Sequence, residues 1–137
     1  MSTIFNSKNA PEPVGAYPHA KRVGDLLFLS GVGPRKRGEK QIPGVNLSAS
    51  GEILDYDIEK QCVSVFENIR LILEDSGSDW DNIVDVTVFL TNMKQDFEKY
   101  NQLYKQYFKT PFPTRTTIEI KSLPTPIAIE LKVIATV

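Results

Sequence analysis

Cysteine and histidine are almost missing from this 137-residue chain, with Cys62 and His19 the sole examples of each. One thiol cannot form an intramolecular disulfide, and one thiol with one imidazole cannot build a Cys/His zinc site. The Asp and Glu residues nowhere adopt the spacing of a calcium loop, so no metal is expected. Long apolar runs are lacking too: none approaches the roughly 20 residues needed to span a bilayer, and Met1 to Ala10 has no apolar core of the kind a secretory signal requires. A cytoplasmic location with no membrane partner is the expectation. Charge of one sign is not in excess either. Sixteen Lys and Arg against seventeen Asp and Glu leave a formal charge of −1, which offers nucleic acid no strong electrostatic attraction. There is no Gly-x-Ser-x-Gly elbow, no Cys/His pair brought together by sequence and no phosphate-binding glycine loop.

What is present reads as one globular domain over residues 1–137. Hydrophobic residues make up 41% and charged residues 24%, and no repeat, low-complexity tract or composition break marks a linker. Leu26 to Ser30 is an apolar run stopped by the turn residues Gly31-Val32-Gly33-Pro34, which predicts a strand. Pro43 to Gly51 reads as a loop. From Asp57 to Ser76 the residues Ile58, Cys62, Val65, Phe66, Ile69, Ile72 and Leu73 recur at helical spacing, with Asp55 or Asp57 to cap the start and Gly77 to end it. Ile83 to Leu90 is β-branched and reads as a buried strand. A second amphipathic helix carries Phe97, Tyr100, Tyr104, Tyr107 and Phe108 and stops at Thr110-Pro111. Thr116 to Ile120 and Ile127 to Val133 predict two further strands, the last with Ile127, Ile129, Leu131 and Val133 on one face and Ala128, Glu130, Lys132 and Ile134 on the other. This order gives an α+β fold with both helices on one sheet face. The opposite face needs cover, and oligomerisation is the economical way to supply it.

The residues able to carry chemistry are polar groups at strand ends. Arg115, between a proline turn and a β-branched strand that reads as buried, must find an anion, because an unpaired buried charge is costly. That anion is either Glu119 or Glu130 in an internal salt bridge or a substrate carboxylate, which the guanidinium fork suits better than Lys would. Glu130 lies in the apolar run Ile127-Ala128-Ile129-Glu130-Leu131, so it is either paired or pushed up in pKa by desolvation, the second outcome suiting a proton shuttle. Tyr17 can pack a loop or offer its hydroxyl, and Ser30-Gly31 can be a plain turn or present a hydroxyl and an N–H. Cys62 falls on the core stripe as a small hydrophobe, and His19 reads as a surface or turn residue. The basic loop Arg35, Lys36, Arg37 and Lys40 is either solvated or recruits anions.

Six stretches in order resemble the reactive-intermediate deaminase (Rid, YjgF-type) family over nearly the whole chain. They are Val14-Gly15-Ala16-Tyr17, Leu29-Ser30-Gly31, Val65-Phe66-Glu67-Asn68-Ile69, Asp85-Val86-Thr87-Val88-Phe89-Leu90, Phe112-Pro113-Thr114-Arg115-Thr116-Thr117 and Ile129-Glu130-Leu131. The resemblance implies a chorismate-mutase-like mixed sheet with two helices on one face, a homotrimer with sites between subunits, and no cofactor. It implies a hydrolysis of small carboxylate-bearing enamines or imines to 2-oxo acids and ammonia. Carried over, Arg115 matches the arginine that holds the substrate carboxylate and Glu130 the acid that orients water. Tyr17 and Ser30 match residues lining the cleft, with Gly31 and Thr117 giving backbone contacts there.

The turn Asn92-Met93-Lys94-Gln95-Asp96-Phe97 is longer and more basic than the family's usual one, and the loop Gly33-Pro34-Arg35-Lys36-Arg37-Gly38 is more basic too. With Tyr17-Pro18-His19-Ala20 and the tail from Leu123 to Lys132, these look most like the 2-aminomuconate deaminase branch, whose dicarboxylate substrate would suit a second cation, Lys94 or Arg35. A generic deaminase of 2-aminoacrylate or 2-iminopropanoate, and a non-catalytic trimer that binds 2-oxo acids, stand as alternatives. A nuclease is the reading that the near-neutral charge least favours.

Overall fold

The computed structural model describes residues 2–137. Its strands are β1 (Ser2–Phe5), β2 (Ala20–Val23), β3 (Leu26–Leu29), β4 (Val45–Leu47), β5 (Ile53–Tyr56), β6 (Ile83–Leu90), β7 (Thr114–Glu119) and β8 (Ile129–Thr136). Its helices are α1 (Ile58–Asp75) and α2 (Met93–Tyr107). Six strands form one mixed sheet in the order β1-β2-β3-β8-β6-β7, and β4 with β5 forms a separate hairpin. Among the described residues only β6 and β7 run parallel, which the intervening α2 makes possible by carrying the chain back across the sheet.

Local chemistry accounts for the element ends. The β2–β3 hairpin turns through Gly24-Asp25, with Gly24 at φ 60°, a conformation that glycine adopts without steric cost. Asp57 rather than Asp55 caps α1, its carboxylate accepting from the N–H groups of Glu59 and Lys60 at 3.0 and 3.2 Å. Gly77 follows the end of that helix at φ 82°. Asn92 caps α2 by accepting from the Gln95 N–H at 3.1 Å, so Lys94 lies in the first helical turn and not in a loop.

Both helices cover the same sheet face. Cys62, Val65, Phe66, Ile69 and Leu73 of α1 and Tyr100 and Tyr104 of α2 close on Val86 and Val88 of β6 and Leu131 and Val133 of β8, all buried. Full burial of each aliphatic side chain contributes roughly 1.5–3 kcal/mol. The Cys62 thiol is pushed up to about 12, chiefly by burial and then by Asp96, which makes it an inert core group and not a nucleophile. Among the described residues no helix lies on the opposite sheet face, which leaves Val23, Leu26 and Ile118 exposed at 48%, 40% and 39%.

Three sequence expectations change. The stretch Pro43 to Gly51, read as a loop, contains β4; β1, β2 and β5 went unseen because each is short and mostly exposed, with too little apolar alternation to register. The strand bearing Arg115 is an edge strand with mostly exposed residues, not a buried one. His19 is buried, not a surface or turn group: its Nδ1 accepts from the Ser7 N–H at 2.9 Å and its Nε2 donates to the Pro11 carbonyl at 2.6 Å.

These bonds secure a strap, residues 6–19, which the basic loop also holds. Arg37 donates to the carbonyls of Ala10 (2.6 Å) and Ser7 (2.9 Å) and to the Glu12 carboxylate (3.0 Å). Arg35 donates to the Glu12 carbonyl at 2.8 Å. The loop is therefore a clasp, with Arg37 committed to it. Arg37→Ala is expected to lower stability by about 1–2 kcal/mol in denaturant unfolding. It should also speed hydrogen exchange at the Ala10 amide, which bonds the Ser7 hydroxyl, while central β8 amides stay protected.

Candidate functional site

β3 does not stop where its pairing with β8 stops. Phe28 faces Ile134 and, further on, Val32 faces Leu131. Residues 28 to 32 thus oppose only residues 134 to 131, so one extra residue sits on the β3 side. This is a bulge, and it turns Ser30-Gly31 out of the ladder beside Glu130. The Ser30 side chain donates to the Pro18 carbonyl at 2.8 Å and its N–H to the His19 carbonyl at 3.0 Å, which anchors the bulge to the strap. A Cβ on Gly31 would lie 2.5 Å from Glu130 Oε2, so the absence of a side chain there is what lets the carboxyl occupy its place.

A cleft of about 340 Å³ opens at this point, lined by Tyr17, Ser30, Gly31, Arg35, Glu130 and residues of the β7–β8 connection such as Thr125. That volume suits a small metabolite. Glu130 is half-buried and, among the described residues, has neither a hydrogen-bond nor an ion-pair partner. Burial alone raises its pKa. Arg35 is the guanidinium at the rim. The Tyr17 hydroxyl accepts from the Val14 N–H at 3.3 Å while the residue stays 40% exposed, so it both packs the strap and faces the cleft.

Arg115 and Thr117 are elsewhere. Arg115 pairs in register with Val86, which pairs with Val133, so it lies on the helix-covered side of the sheet. Glu130 pairs with Phe89, which pairs with Ile118, and so lies on the uncovered side. One chain thus does not gather the two residues into a common crevice, and neither salt bridge considered for Arg115 forms. Arg115 donates to Asn101 Oδ1 at 2.9 Å, with its guanidinium 4.6 Å from the ring centre of Tyr104 and 5.4 Å from that of Tyr100. Glu119 instead accepts from the Met93 N–H at 2.9 Å. Thr117 bonds the Tyr100 hydroxyl through Oγ1 at 2.8 Å, so its side chain takes part and not only its backbone. Lys94 is exposed and does not line the Glu130 cleft. Sequence reasoning missed Asn101, Tyr100 and Tyr104 as neighbours of Arg115. Their one-turn spacing was visible, but nothing local says that α2 lies against β7. Among the described residues, no group of His, Cys, Asp and Glu could hold a metal ion, and no helix is long and apolar enough to cross a membrane.

The family model described as endoribonuclease L-PSP matches residues 7–137, and the chain belongs to that family, which takes in the RutC, YjgF and Rid proteins. It is 37% identical over 98% of its length to a RutC family protein of Saccharolobus solfataricus, of which 98% is covered. It is 31% identical to the 2-iminobutanoate/2-iminopropanoate deaminase of Dermatophagoides farinae, covering 98% of this chain and 95% of that one. Among solved structures, yeast Mmf1 superposes with a TM-score of 0.85 at 31% identity over 99% of this chain and 98% of that chain. TdcF of E. coli with bound serine gives 0.84 at 28% identity over 98% of each chain. The fold, two helices on a mixed sheet, is the chorismate-mutase-like fold that the resemblance implied.

Gly31→Ala should leave unfolding stability within about 1 kcal/mol, because the obstructing group is the movable end of a side chain. It should swing the Glu130 carboxyl outward. Carbon-detected NMR titration of Glu130 is expected to show a value above the ordinary carboxylate range in the parent protein and a return toward that range in the variant.

Proposed function

We propose that this chain is a cofactor-independent hydrolytic deaminase of small enamines or imines that carry a carboxylate, and that it works at a cleft completed by a second copy within a homotrimer. The observation that carries the reading is Glu130: a half-buried carboxyl without a partner, at the wall of a small cleft, in a family with named deaminases. Two features support an intersubunit site. Arg115 stands on an edge strand with no carboxylate of its own, and the sheet face that carries Glu130 is uncovered and partly apolar. A neighbouring Arg115 docked at the cleft mouth would bring cation and acid to opposite ends of a bound molecule. The serine held by the solved E. coli relative supports a small carboxylate-bearing ligand.

The chemistry then balances simply. An enamine tautomerises to its imine; water adds to the imine carbon as Glu130 accepts one of its protons and hands it to the imine nitrogen; the carbinolamine then expels ammonia as the same carboxylate takes the hydroxyl proton and delivers it to the departing nitrogen. The products are a 2-oxo acid and ammonia. Arg115 anchors the unreacting carboxylate and so holds the substrate in the cleft before and through the reaction. Burial helps by raising the Glu130 pKa, which makes the carboxylate a stronger proton acceptor than an exposed one.

The finer proposal is 2-aminomuconate as substrate. Its second carboxylate would meet Arg35, which is in the cleft, or Lys94, which lies on the Arg115 side and would come from the neighbour. A generic 2-iminopropanoate deaminase needs neither cation.

Arg115→Ala is expected to raise KM about 10- to 100-fold, the worth of a charged hydrogen-bonded contact, and Glu130→Gln to lower kcat by about 10²–10⁴. Ammonia release from 2-iminopropanoate generated in situ measures both; unchanged kcat/KM in Arg115→Ala would end the reading, and retained ligand binding with no turnover in the parent would favour a binding trimer. For the finer proposal, Arg35→Ala or Lys94→Ala should raise KM for 2-aminomuconate and leave that for 2-iminopropanoate unchanged. Equal behaviour of the two substrates in both variants would return the chain to the generic class.

A further inference from the structure

An arginine on an exposed edge strand makes a poor anchor unless something orders it first, because its long side chain loses rotamer freedom on engaging a ligand. Here α2 does the ordering. Tyr100, Asn101 and Tyr104 lie within one turn and therefore share a helix face, the face that meets Arg115 and Thr117 of β7. Asn101 Oδ1 takes one guanidinium N–H at 2.9 Å, and the Tyr104 ring lies 4.6 Å from the guanidinium carbon. The ring is itself immobilised by stacking on Phe108, with centroids 4.1 Å apart and planes 20° apart. All these partners are neutral. They fix the direction of the cation without consuming its charge, which a carboxylate partner would do.

Thr117 is ordered by the same helix. Its Oγ1 lies 2.8 Å from the Tyr100 hydroxyl, and Tyr100 is fully buried. Were Thr117 the donor, the phenolic hydrogen would be buried with no acceptor, since Thr117 is the sole hydrogen-bond partner of that hydroxyl among the described residues. Tyr100 therefore donates, and the Thr117 hydroxyl keeps its own hydrogen for another acceptor on the side where Arg115 stands.

We propose that Tyr100, Asn101 and Tyr104 are positioning residues that preset the Arg115 guanidinium and the Thr117 hydroxyl as paired donors for the substrate carboxylate, so that α2 sets carboxylate affinity without touching the ligand. The proposal rests on the deaminase reading of Arg115. Binding of an unreacting carboxylate is the same before and in the transition state, so loss of presetting raises KM and spares kcat.

Four variants test this by steady-state kinetics on 2-iminopropanoate: Asn101→Ala, Tyr100→Phe, Arg115→Ala and the Asn101→Ala/Arg115→Ala double variant. Asn101→Ala is expected to raise KM about five- to tenfold and Tyr100→Phe about two- to fivefold, each with kcat unchanged. In the Arg115→Ala background the Asn101 substitution should add nothing, because its effect passes through the guanidinium. Equal KM increases in both backgrounds, or a fall in kcat at constant KM, would overturn the proposal. Should Asn101→Ala fail to fold, Tyr100→Phe, which keeps the core ring, decides alone: an unchanged KM sinks it. If Arg115→Ala itself leaves KM unchanged, the deaminase reading fails before the positioning question arises.

Discussion

The alternation of side chains across the β6–β7–β8 ladder is the constraint on which the rest of the molecule depends. β6 pairs with β7 on one side and with β8 on the other, so the register that buries Val86, Val88, Leu131 and Val133 also decides where Arg115 and Glu130 go. A slip of one residue would turn the apolar set out to solvent. Core formation therefore enforces the separation of the guanidinium from the carboxyl by the thickness of the sheet. The chain cannot neutralise its own Glu130 with its own Arg115 while keeping its core.

That separation leaves two groups of opposite charge in different states of readiness. Glu130 has been desolvated beside a glycine and given no partner, which holds it toward its neutral form. Arg115 stays solvated at an edge but is directed by an amide oxygen and two aromatic faces. Had the two met in the interior, their mutual attraction would have offset the loss of solvation and left little for a ligand. Kept apart, each can still interact with a small acid, and the proposed trimer is the arrangement that would let both do so at once.

The strap and its clasp serve the same cleft from the other side. His19, bonded through both ring nitrogens, and Arg37, bonded to two carbonyls and a carboxylate, place Tyr17 and the Ser30 bulge along the Glu130 wall. Nothing in the local sequence marks these roles. A lone histidine next to a proline reads as a turn residue, and a run of Arg and Lys between glycines reads as solvated or anion-seeking, because the groups that satisfy them come from the strap, residues away in the chain.

Much of the fold was legible because hydrophobic periodicity reports burial directly. The stripe from Ile58 to Leu73, the run Ile83 to Leu90 and the two-sided pattern of β8 each needed only their own residues to be read. Short exposed strands escaped for the same reason, having little burial to report. Glu130 as an isolated acid in an apolar run, Gly31 beside Ser30 and Arg115 after a proline turn were visible as chemistry without location. By itself the sequence determined the helices, the core strands, the faces of β8 and the kinds of group available. Only the tertiary structure decided that Arg115 rests against Asn101 and Tyr104 and that Glu130 goes without a partner on the far side of the sheet. Those facts depend on which strand pairs with which and in what register, a property of contacts between segments distant in sequence that no local pattern encodes.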